Sequence, residues 1–114
     1  MTPLFTALGG FVERYHEAHS LVEQHKDWDS SVSLVAADSG ETINLQVREG
    51  RVTGIGKPLG EVDLVITANE QMLLDILELR RDPNELYLFG ELTVQGEERH
   101  FMRLDYIVTM LCPV

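Results

Sequence analysis

A chain of 114 residues, 44% hydrophobic and 25% charged, has the composition of one globular domain with a single core, not of a disordered segment. Nineteen acids against nine bases give a net charge of −10, which argues against nucleic acid as a partner and against a stable anchor on an anionic membrane. One cysteine, Cys112, rules out an internal disulfide and a multi-cysteine zinc site, and no apolar run reaches the roughly 18 residues of a membrane span.

The amino terminus, Met1 to Gly10, has no basic n-region and no cleavage pattern, and Cys112-Pro113-Val114 is not a peroxisomal address. The expectation is one domain over 1–114, placed in the cytoplasm.

The first element reads as a helix. Leu4, Leu8, Phe11, Tyr15, Ala18 and Val22 recur at helical spacing, with Val12 and His19 at the edge of the stripe, until Asp27-Trp28-Asp29-Ser30 ends it. The period then drops to two. Val32, Leu34 and Ala36 alternate with Ser31, Ser33 and Val35, and Ile43, Leu45 and Val47 alternate with Asn44, Gln46 and Arg48. Ser39-Gly40 and Glu49-Gly50 supply tight turns, so Val52–Ile55 closes a three-stranded antiparallel meander. Gly54, Gly56, Pro58 and Gly60 make a breaker-rich loop before a fourth strand on Val62, Leu64 and Ile66.

Thr67-Ala68-Asn69-Glu70 matches a capping box ahead of a helix carrying Met72, Leu73, Ile76, Leu77 and Leu79 on one face and Leu74 on the other. Arg80-Arg81 falls at its C-terminal end, where cations suit the dipole. Asp82-Pro83-Asn84-Glu85 starts a second, short helix with Leu86 and Phe89, stopped by Gly90. Leu92 and Val94 make a fifth strand closed by Gly96, and a last helix over about 97–112 aligns Phe101, Leu104, Val108 and Leu111. Strands and helices in this order predict an α+β fold with helices gathered on one face of a sheet.

Few side-chain constellations carry chemistry. His16 and His19 stand three apart instead of the four that puts two imidazoles on one face, so two solvated histidines outweigh a metal pair, and His25 and His100 have no evident partner. Gly54-Ile55-Gly56-Lys57-Pro58-Leu59-Gly60 lacks the helix start that a phosphate cradle needs. No serine sits in a nucleophile elbow, and nothing activates Cys112. The sole tryptophan, Trp28, is placed at the junction of the first helix and the sheet. The last helix is apolar nearly all round: Met102, Tyr106 and Met110 form a second stripe, separated from the first by Asp105 and Thr109. That pattern implies burial on two sides, against neighbours, a ligand or a second chain.

Several ordered pieces resemble the sterol carrier protein type 2 family, the nonspecific lipid-transfer domain. They are Glu49-Gly50-Arg51-Val52, then Val62-Asp63-Leu64-Val65-Ile66-Thr67 running into Met72-Leu73-Leu74-Asp75-Ile76-Leu77, then Arg81-Asp82-Pro83, and Gly90-Glu91-Leu92-Thr93-Val94-Gln95-Gly96. Glu97 departs from the Asp or Asn usual after the second glycine, and the family's C-terminal extension has no counterpart here. Similar bacterial domains occur alone, in accessory proteins of isoprenoid-quinone biosynthesis, or inside larger enzymes. The resemblance implies a five-stranded, mostly antiparallel sheet with helices on one face, enclosing an apolar tunnel.

It also implies a non-enzymatic carrier of a fatty acyl, isoprenoid or sterol-like ligand, needing neither cofactor nor metal. Met72, Ile76, Leu86, Phe89, Phe101, Met102, Leu104 and Val108 are the expected lining. A second reading makes the chain an interaction or homodimer module through Leu74, Met102, Tyr106 and Met110. A third, a small-molecule enzyme, would take Asp105 as base and Tyr15, Tyr87 or Tyr106 as donor, an arrangement nothing in the sequence selects.

Overall fold

The structure is a computed structural model that describes residues 2–58 and 60–112; Met1, Leu59 and the Pro113-Val114 end considered above lie outside the described residues. Thr2 accepts the Phe5 N–H at 3.2 Å and Pro3 takes the first helical position, which starts α1 (Pro3–Glu17). Its stripe Leu4, Leu8, Phe11 and Tyr15 is buried.

One continuous helix to Val22 was the expectation, but the chain breaks at Ala18 (ψ 72°) and resumes as α2 (His19–Gln24). The end of α1 is pinned to the sheet: the Tyr15 hydroxyl donates to Gly50 O, and the Val52 N–H donates to His16 Nε2 at 3.1 Å. With that end fixed, the turn at Ala18 is what brings both Leu21 and Val22 into the core. His16 is therefore not a free surface residue, as the spacing suggested; it is partly buried and accepts a strand N–H. Burial, and then the Arg51 charge, hold its imidazole below the usual histidine range.

Strands β1 (Ser30–Ala36), β2 (Thr42–Arg48) and β3 (Arg51–Gly56) form the expected antiparallel meander. Glu49 (φ 50°) and Gly50 (φ 78°) both adopt positive φ, the signature of a type I′ hairpin turn. The chain then crosses from one edge to the far side of β1, where β4 (Leu64–Ala68) pairs with it in parallel, and β5 (Thr93–Gly96) adds antiparallel to β4. The sheet order is β3-β2-β1-β4-β5, mostly antiparallel.

Val32, Leu34, Leu45, Val47, Leu64 and Ile66 form its buried inner face. Outward, Asn44 donates to Ser31 and Ser33, and Gln46 donates to Ser31 and Asn44, all within 3.0 Å, a polar ladder across the central strands.

The cap of α3 (Glu70–Leu77) is Asn69, whose side chain accepts the Met72 N–H at 2.8 Å; Thr67, first residue of the capping-box pattern, is still in β4. The helix ends at Leu77 and the chain turns away at Leu79 (φ 63°), before Arg80-Arg81, and Arg80 turns back onto Asp75 and Glu78. In α4 (Pro83–Leu88) Asp82 is the N-cap, as the spacing predicts, accepting the Asn84 N–H at 2.9 Å. Last comes α5 (Glu98–Leu111), whose Glu97 side chain caps no helical N–H and is held by Arg99 instead. Its start is set instead by the Glu97 N–H donating to Asp63 O at 3.2 Å.

Two expectations change once the layers are in place. The outer stripe of α5 is not covered: Met102, Tyr106 and Met110 are exposed, because the core packs on the Phe101, Leu104, Ile107 and Val108 side. The tunnel expected between sheet and helices is not open, because large side chains from both layers interlock there. No helix of the described residues is long and apolar enough to cross a membrane.

Candidate functional site

The interlayer space is a narrow void of about 20 Å³ with a wholly apolar lining. Leu8 and Phe11 of α1 face it from one side, and Leu34, Leu45 and Ile66 form its floor on the three central strands. Leu73 and Ile76 of α3, Pro83 at the first turn of α4, and Leu104 and Val108 of α5 complete it. Each residue is there for a local reason: inward strand positions by period two, helical positions by the i, i+3, i+4 stripe. A void this small holds about one water, and an apolar one stays dry. Ligand pockets run to roughly 300 Å³ or more, so a ligand chain enters only if the layers move apart.

The outer wall of the void is the seam between α4 and α5, and a pair of carboxyl groups lies on it. Asp82 precedes Pro83 and Asp105 follows Leu104, so each acid is next in sequence to a residue lining the void. The Asn84 N–H donates to both, at 2.9 Å to Asp82 and 3.2 Å to Asp105. Partial burial, together with a hydrogen bond to Asp82 and its like charge, pushes the Asp105 carboxyl up to about 6. The nearby cations are committed elsewhere: Arg80 to Asp75 and Glu78, Arg81 to Glu91, Arg103 to Asp27. The two carboxyl groups share the Asn84 N–H as donor, and no cation among the described residues is paired with either.

A second polar cluster closes the far end of the fold. Trp28, buried as expected, is seated against α5 as well as the first helices: its Nε1–H donates to His100 Nδ1 at 2.9 Å, which gives His100 the partner the sequence did not reveal. His25 Nδ1 lies 3.2 Å from Arg103, which also grips Asp27 in a bidentate pair at 3.0 and 3.2 Å.

Asp63, Glu97 and His100 bring ligand atoms within 4.8 Å of one another. The Trp28 bond decides what this trio can do. An imidazole accepting at Nδ1 carries its proton on Nε2, so His100 presents a donor to the two carboxylates instead of a lone pair to a metal.

Of the residues expected to line a ligand site, the structure brings Ile76, Leu104 and Val108 together on the void. Leu86 and Phe101 are fully buried in the core but do not line the void, and Met72 is half-buried against the core. Phe89 and Met102 point outward, because α4 ends and α5 turns so that these positions face solvent. Leu74 lies apart from the exposed stripe on α5, half-buried in a groove between α3 and α1 beside Pro3, Ala7 and Gly10.

The tyrosines proposed to act with Asp105 are occupied otherwise: Tyr15 on Gly50 O, Tyr106 on Gln24 at 3.1 Å, and Tyr87 with its ring 5.4 Å from Phe101. The wall from α1 and the strands was missed, although strand alternation marks Leu34, Leu45 and Ile66 as inward positions. The pairing of Asp82 with Asp105 left no sequence signal at all.

No protein-family model and no curated protein matches the chain in sequence. Solved structures do match in fold. A ubiquinone synthesis protein described as UbiJ-SCP2 superposes with a TM-score of 0.77 at 16% identity, covering 95% of this chain and 94% of its own. A sterol carrier protein 2 crystal structure gives 0.69 at 18% identity, over 96% of this chain and 95% of its own. A stereoselective inverting sec-alkylsulfatase, Pisa1 from Pseudomonas sp., gives 0.60 at 19% identity over 83% of this chain, but only 14% of the enzyme takes part.

Proposed function

We propose that this chain, which has the fold of sterol carrier protein 2, is a carrier that takes an elongated apolar ligand, an acyl or polyprenyl chain, between its sheet and its helical layer. The observation carrying this reading is the void on Leu34, Ile76, Leu104 and Val108, where the core is incompletely packed and no polar atom borders the gap. Each methylene buried there contributes about 0.8 kcal/mol, so a long chain can offset the cost of parting the layers without any specific chemistry. The seam of α4 and α5 is the natural place to part, since like charges sit across it. Among the structural neighbours, one is a sterol carrier protein and one a ubiquinone synthesis protein, which supports the same class of ligand.

The test is titration of the purified protein with fluorescent long-chain acyl and polyprenyl probes. Saturable binding is expected, displaced by the unlabelled lipid. Val108→Phe fills the void and is expected to weaken that binding about tenfold or more, a loss of about 1.4 kcal/mol, while the thermal transition stays cooperative. Absence of saturable binding by the wild-type protein overturns the reading.

A further inference from the structure

The outer side of α4 and α5 carries six exposed large apolar side chains: Tyr87, Leu88, Phe89, Met102, Tyr106 and Met110. Leu88 and Phe89 are 73% and 71% exposed, Met102 61% and Met110 55%, well beyond what a scatter of surface residues shows. Side chains of this size, about half exposed, present on the order of 600 Å², the upper end of what a monomer leaves open to water. The two groups belong to helices that meet at one aromatic contact. The Tyr87 ring packs on Phe101, next to Met102, and Met102, Tyr106 and Met110 continue along α5 at intervals of one helical turn.

The charge around this surface has one sign. On the same two helices and their caps, Asp82, Glu85, Glu98 and Asp105 are engaged by no cation among the described residues, while Arg80, Arg81, Arg99 and Arg103 are all turned to other acids. Anionic lipid headgroups would meet these four acids in a chain already at −10. A second copy docked about a twofold axis would set the same acids against their own kind. A cation entering between Asp82 and Asp105 would instead relieve a repulsion that the chain itself leaves standing.

We propose that the outer face of α4 and α5 is a docking surface for a basic amphipathic helix of a partner protein. The helix seats its apolar side on Leu88, Phe89, Met102 and Met110, and one lysine or arginine bridges Asp82 and Asp105. The surface lies on the outer side of the seam that walls the void, and a helix can dock there whether or not a ligand enters, so docking does not require the carrier reading to hold.

A synthetic leucine–lysine helix with a single apolar face, labelled for fluorescence anisotropy, is the probe. Saturable one-to-one binding is expected, weakened about fivefold by Asp105→Asn and about tenfold by the double change Phe89→Ser with Met102→Ser, both at solvent-facing or rim positions. Glu13→Gln, on the exposed side of α1, removes the same charge and is expected to change binding less than about twofold. A scrambled peptide of the same composition is expected to bind about tenfold more weakly.

Equal losses from Glu13→Gln and Asp105→Asn, or equal binding of the scrambled peptide, would reduce the effect to general charge attraction and overturn the proposal. So would binding to phosphatidylcholine vesicles, or self-association in sedimentation, abolished by the same double change; those results would assign the face to a bilayer or to a second copy.

Discussion

Gly96→Ala is expected to cost about 3 kcal/mol or more of folding stability and to lower the melting temperature by about 12 °C. Gly96 ends β5 at φ 115°, a conformation L residues avoid, and a Cβ there would lie 2.2 Å from the backbone oxygen of Asp63. Nothing flexible can yield, because that oxygen belongs to the residue that leads into β4. The same oxygen accepts the Glu97 N–H, and the Asp63 carboxylate accepts the Ser31 N–H at 2.9 Å. Moving Asp63 therefore disturbs β1, β4 and the start of α5 together. Thermal and urea unfolding of the variant measure the loss; a shift under about 3 °C would show that the strands can separate at low cost.

Asp105→Asn is expected to stabilise the protein at neutral pH and to do little in acid. The folded-state carboxyl is raised to about 6, whereas an unfolded aspartate titrates near 3.9. Between those values the folded state holds more protons. Its contribution is thus fully present below about pH 4 and is lost as pH rises through about 6. The full shift would correspond to about 3 kcal/mol, and solvent screening at this partly exposed seam reduces it to about 1 kcal/mol. Asparagine keeps a hydrogen bond to Asp82 and the acceptor for Asn84 at every pH. Urea unfolding at about pH 4 and pH 7 should show the variant gaining about 1 kcal/mol at the higher pH alone. A gain of equal size at both, or a loss at neutral pH, would mean that the two acids are not coupled.

These predictions differ in how far the sequence leads to them. The Glu49-Gly50 turn, the Asp82-Pro83 helix start and the alternation of Val32, Leu34, Leu45 and Val47 are legible because each rests on the conformational limits of a few neighbouring residues. The break at Ala18 is not legible. It follows from Tyr15 and His16 being tied to Gly50 and Val52, residues distant in the chain. The cap of α3 shows the same limit over a shorter span: Thr67 and Asn69 both fit a capping pattern, and the pairing of Thr67 with Thr93 in the sheet leaves Asn69 to do it.

At the candidate site the division is sharper. Of the expected lining, Ile76, Leu104 and Val108 reach the void, while Phe89 and Met102 face solvent. An amphipathic period tells how wide an apolar stripe is, but not whether a second layer exists to cover it.

What the sequence determined by itself was the order and type of elements, most of their ends, and which side of each strand is apolar. Backbone sterics, capping and periodicity act within a few residues, so they can be read along the chain. Only the tertiary structure decided that β4 lies parallel to β1, that the layers close to about 20 Å³, that His100 accepts from Trp28, and that Asp82 meets Asp105. Those outcomes depend on distances between segments far apart in sequence, which are fixed when the helices settle on the sheet and most buried polar groups find their partners.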